Sequence, residues 1–153
     1  MTLDFKIDDQ KLQKAFDGIK VGKMRTVYRK ATRKGLTEVR KQAVANFKKI
    51  FKGSQRWRAI WVRNYAKKSV IGAYISLHKT NPKYYDGKPL LLRWMNVGTI
   101  DRKTSKGYNR GAMPDTDFFT NAVNAKMNQA EAVAVKEARE GLIKEARKQG
   151  FDV

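Results

Sequence analysis

Residues 24–51 read MRTVYRKATRKGLTEVRKQAVANFKKIF. The apolar or small positions Met24, Val27, Tyr28, Ala31, Gly35, Val39, Ala43, Phe47 and Ile50 recur at steps of three and four, the spacing that lines one side of an α-helix. At about 100° per residue, Arg25, Arg29, Lys30, Arg33, Lys34, Arg40, Lys41 and Lys48 fall on roughly the opposite half of the circumference. The stretch predicts a long helix over 24–51 with a core face and a cationic face.

Upstream, Leu3, Phe5 and Ile7 alternate with polar residues. Asp8 or Asp9 then offers a cap to a helical series, Leu12, Ala15, Phe16 and Ile19, ending at Gly22. A short strand and helix are therefore expected over 3–21. Downstream, Gly53-Ser54 breaks the long helix. Trp57, Ile60, Trp61 and Tyr65 follow among Arg56, Arg58, Arg63, Lys67 and Lys68, and this segment, 53–68, reads as a short helix or an irregular arm. Ile71, Ala73, Ile75 and Leu77 then share one face of a strand over 69–77, with Tyr74 and Ser76 on the other. Turn signals at Asn81-Pro82 and Asp86-Gly87 precede a mostly apolar run, 90–97, expected as a second strand paired antiparallel to the first.

Gly98, Gly107, Gly111 and Pro114, with Arg102, Lys103, Lys106 and Arg110, predict a mobile basic loop over 98–114. Thr116 or Asp117 can cap a final helix, 116–149, whose face is Phe119, Val123, Met127, Ala130, Ala134, Ala138, Leu142 and Ala146. Gly150 supplies its stop. Phe119 opens that series and is expected to anchor the helix on the sheet. The expected fold is a single α+β domain over 1–153, a small antiparallel sheet packed by the long basic helix and the C-terminal helix.

The 153 residues carry a net charge of +20, and it is concentrated. Residues 20–68 hold 17 Lys/Arg against one acid, Glu38. Residues 1–19 hold 3 basic and 4 acidic residues, and 115–153 hold 6 and 7, so both ends are near neutral. A single-sign field over one region attracts polyanions or an acidic protein surface. With 41% hydrophobic residues the chain is too apolar for a disordered tail of that charge. No cysteine is present, so disulfides, thiolate metal sites and Cys nucleophiles are excluded. MTLDFKIDD has no signal-peptide pattern and no apolar run of spanning length occurs, so neither secretion by that route nor a membrane partner is expected.

His78 is the sole histidine, and a base needs an orienting partner that the sequence does not show. Asp8-Asp9 and Asp115-x-Asp117 sit where helix starts favour negative charge, so they read as caps. No Gly-rich phosphate loop of the Lys-Ser/Thr type occurs. An enzyme is disfavoured, and no metal or cofactor is expected. The aromatics interleaved with arginines over 56–65 suit base stacking or a protein interface. Because Trp57, Ile60 and Trp61 fit one helical face, packing or a protein interface is the favoured reading.

Two short segments carry a resemblance: Trp94-Met95-Asn96-Val97-Gly98-Thr99, and Pro114-Asp115-Thr116-Asp117-Phe118-Phe119-Thr120-Asn121-Ala122. With the elements in this order, the chain resembles the phage neck and tail-completion family, the tail-component proteins at head–tail junctions of long-tailed phages. Members share a long basic helix, a small sheet whose last strand ends in aromatic-x-x-x-Gly-Thr, a variable loop, and a Pro-aromatic opening to a C-terminal helix. The matching positions here are Trp94, Gly98, Thr99, Pro114, Phe118 and Phe119. Asn96 stands where an acidic residue is frequent, and the usual Pro-x-x-Thr-Gly stretch after the long helix is absent.

The resemblance implies a structural virion protein, assembled in the host cytoplasm, whose copies form a ring in the neck. That homo-oligomer would join head-closure components to the tail around a DNA channel. Arg29, Arg33, Arg40, Arg102, Lys103, Lys106 and Arg110 are the candidate contacts to a partner or, non-specifically, to DNA. The alternative is a stand-alone basic nucleic-acid-binding protein, for which no zinc-finger, ribonucleoprotein or basic-zipper signature speaks. A small nuclease would need clustered carboxylates, which the sequence does not offer.

Overall fold

The computed structural model describes residues 18–65, 71–77 and 91–151. The strand and most of the helix expected over 3–21, His78 and the turns at 81–87 lie outside the described residues. Helix α1 runs Val21–Ile50. Gly22 therefore lies in its first turn and does not close a preceding helix.

Buried residues on α1 fall strictly four apart: Ala31, Gly35, Val39, Ala43 and Phe47. Four residues turn the helix by about 400°, so the seam advances about 40° per step and winds around the helix. Its N-terminal half thus faces one neighbour and its C-terminal half also meets others. The main neighbour is the C-terminal helix, Phe118–Lys148, which packs antiparallel to α1. Gly35 meets Ala130 and Ala134, while Val27 meets Gly141 further along. A Cβ at Gly35 would collide with the Ala130 carbonyl oxygen, and one at Gly141 would lie 2.6 Å from Val27 Cγ1. Each helix contributes a glycine so that the backbones can close in.

After α1 a 3-10 turn, Arg56–Ala59, leads into strand β1, Trp61–Asn64. Strand β2, Ala73–Ser76, pairs with it antiparallel, Val62 opposite Ile75 and Arg63 opposite Tyr74. The expected strand over 69–77 thus appears as its central part, but its partner is 61–64 and not 90–97. The run expected as a second strand forms helix α2, Leu91–Val97. Leu92, Met95 and Asn96 are its buried positions, at helical and not alternating spacing. Leu, Met and Arg also favour helix, and Val97 is the only β-branched residue in the run. The C-terminal helix is α3.

The fold is α+β: three helices among the described residues and a two-stranded antiparallel sheet. One core joins Ala43 and Phe47 of α1, Ile60 before β1, Leu92 and Met95 of α2, and Phe118 and Ala122 of α3, with Ile75 of β2 packed against it. The Phe47 and Phe118 rings meet edge to face at 5.3 Å. Phe118 is 1% exposed whereas Phe119 is only partly buried. The anchor is therefore Phe118, one residue before the expected position. A smaller cluster of Ile19, Leu142 and Ala146 closes the far end of the helix pair. Among the described residues no helix is long and apolar enough to cross a membrane.

Candidate functional site

The two segments that carried the resemblance lie about twenty residues apart and close on one another. Helix α2 ends at Val97, and Gly98 takes φ 72°, the left-handed conformation that glycine adopts without steric cost. A Cβ there would also stand 2.9 Å from Met113 O and Asp115 N. The chain then leaves as a hairpin. At its base the Thr99 N–H donates to Met113 O at 2.8 Å, and the Met113 N–H donates to Thr99 Oγ1 at 2.9 Å.

Further out, Arg110 N–H donates to Arg102 O at 2.6 Å and Thr104 N–H to Tyr108 O at 2.8 Å. A turn at the tip is closed by Gly107 N–H to Thr104 O at 2.9 Å. The basic loop expected over 98–114 thus takes the form of a hydrogen-bonded hairpin. Lys103, Lys106 and Arg110 are exposed on it, as are Ile100 and Tyr108. Arg102 is half-buried, and its Nε lacks a hydrogen-bond partner. Asp101 is the single acid among them.

Asn96 ties the hairpin's two ends to α3. It is 4% exposed. Its carbonyl oxygen accepts the N–H groups of Thr116 and Asp117 at 3.1 and 3.0 Å. Its Oδ1 accepts from Phe119 N–H at 2.7 Å and Thr120 N–H at 3.4 Å, and its Nδ2 donates to Thr120 Oγ1 at 3.0 Å. The first turn of a helix has unpaired N–H groups that a side-chain oxygen normally satisfies from the N-cap position. Here Asp117 holds that position at φ 44° without a side-chain cap bond, so neither Thr116 nor Asp117 caps α3 as expected. Asn96 does so from another helix.

The cationic face of α1 is less uniform than its spacing suggests. Arg33, Lys30 and Lys41 are exposed. Arg29 is half-buried with its Nε unpartnered. Arg40 turns to the sheet, its Nε donating to Ile60 O at 2.8 Å. Lys34 pairs with Glu137 of α3 and Lys41 with Glu38. The Lys48 ammonium sits 4.3 Å from the Trp57 ring centroid. Lys103, Lys106 and Arg110 thus lie exposed on one hairpin, while Arg29, Arg33 and Arg40 have three different surroundings.

Trp94 and Phe119 are half-buried and Pro114 is exposed. No His, Cys, Asp or Glu cluster able to hold a metal occurs among the described residues. Sequence reasoning noted Asn96 only as a departure from the resemblance and did not find its role as a cap delivered from another helix. Comparison of the chain with protein-family models, curated proteins and solved structures finds no match.

Proposed function

We propose that this chain is a structural protein of a phage neck, several copies of which form a ring joining head-closure components to the tail. The observation that supports it is the junction built by Asn96, Gly98, Thr99, Thr116 and Phe118. It links the two signature segments and makes one unit of a basic hairpin and the helix behind it. Closed rings use heterologous contacts between two different surface patches, and segregated charge favours such head-to-tail pairing. The hairpin turns its cations to the channel, where phosphates pass without being read in sequence. No enzymatic step or cofactor belongs to this reading.

Light scattering of the purified protein over a range of concentrations, with and without duplex DNA, tests it. A discrete multi-subunit mass that forms without DNA is the expected result. A monomer or dimer at every concentration, binding DNA with a steep salt dependence, would favour the stand-alone nucleic-acid-binding alternative.

A further inference from the structure

We infer that the outer face of the β1–β2 sheet is a stacking platform for single-stranded nucleic acid. In a strand successive side chains point to opposite faces, and directly opposed residues of paired strands share a face. Val62 and Ile75 face the core. Trp61 and Arg63, opposite Ser76 and Tyr74, must then face outward, and Tyr65 continues their row.

Trp61 is 45% exposed and Tyr65 41%. The Tyr65 ring lies over Gly72 and meets the Tyr74 ring at 5.0 Å and 38°. The backbone of Arg63 is held in the ladder opposite Tyr74, and its side chain has no hydrogen-bond or ion-pair partner among the described residues. The face therefore presents three rings beside the Arg63 guanidinium, and Trp61, Arg63 and Tyr65 lie within the segment that carries 17 Lys/Arg against one acid.

This arrangement removes the reason for reading the segment as packing. Trp57 and Ile60 go to the core, but Trp61 leaves it, because the chain changes from a 3-10 turn to a strand between them. Exposed rings beside cations are what single-strand binders use, the rings for base faces and the cations for phosphates. Apart from its rings the face carries, among the described residues, only Arg63 and Ser76, whereas a protein hot spot is ringed by contacts that seal out water. Duplex DNA hides its base faces, so the ligand class is unpaired DNA or RNA. The site goes beyond the neck reading, which stands or falls separately on ring formation.

The test compares binding of labelled oligo-dT with binding of heparin, a polyanion without bases, by wild type, Trp61→Ala, Trp61→Phe and Tyr74→Ala, each checked for folding by circular dichroism. Loss of a stacking partner should weaken oligo-dT binding about ten-fold for each Ala variant. Heparin binding should stay unchanged, Trp61→Phe should retain most oligo-dT affinity, and oligo-dT should quench wild-type tryptophan fluorescence. Unchanged oligo-dT binding in Trp61→Ala and Trp61→Phe, or equal losses for oligo-dT and heparin, would overturn the proposal. If Trp61→Ala instead alters the assembled mass while oligo-dT binding persists, the face is a protein interface and the proposal is wrong.

Discussion

Asn96 makes five hydrogen bonds across the junction, two through its backbone oxygen and three through its amide. Removing a buried acceptor leaves the donors it served unsatisfied, so Asn96→Ala should lower stability by about 1–3 kcal/mol. In Asn96→Asp a carboxylate can accept from the same N–H groups and gains from the positive end of the helix, so the loss should be less than half as large. Urea titration of both variants measures this. Equal losses would show that capping is not what Asn96 contributes. The neighbouring phenylalanines separate in the same assay: Phe118→Ala should cost about 3–5 kcal/mol, and Phe119→Ala clearly less because its ring is only partly buried.

At the scale of elements, α1 and α3 are held by close approach rather than by large side chains. Gly35→Ala forces a methyl group against the Ala130 carbonyl and should destabilise by about 1–3 kcal/mol. Gly22→Ala, with nothing within 4 Å and a helical backbone, should stabilise by up to about 1 kcal/mol. Opposite signs in thermal melts are the expected outcome; a neutral Gly35→Ala would mean that the helices can part freely.

These two helices were legible in the sequence because their period persists over many turns. The run 91–97 was not, since a short apolar stretch satisfies either periodicity and only its packing under α3 decides. Strand β1 was missed for a related reason: Trp57, Ile60 and Trp61 imitate a helical face across what is a turn followed by a strand. The hairpin's charge and glycines were visible, but its hydrogen bonds join residues whose pairing no local pattern announces. A cap delivered by Asn96 from another helix is a tertiary event, so residue order alone did not reveal it.

Across the whole molecule, charge is sorted rather than balanced, and some of it is already used. Lys34 holds Glu137, and Arg40 holds the turn before β1. The hairpin cations Lys103, Lys106 and Arg110 stay exposed. Neutralising Lys103, Lys106 and Arg110 to Gln should leave the fold intact and flatten the slope of log affinity against log salt for duplex DNA by about 2.7, three phosphate contacts' worth. An unchanged slope would move the DNA contact to α1.

The most direct measurement uses the absence of cysteine: Lys106→Cys gives a unique thiol at the hairpin tip that a gold label can mark for electron microscopy of the assembled protein. The proposed neck role predicts closed rings with labels around the central hole. Particles that never close, or rings labelled only on the outer rim, would contradict it.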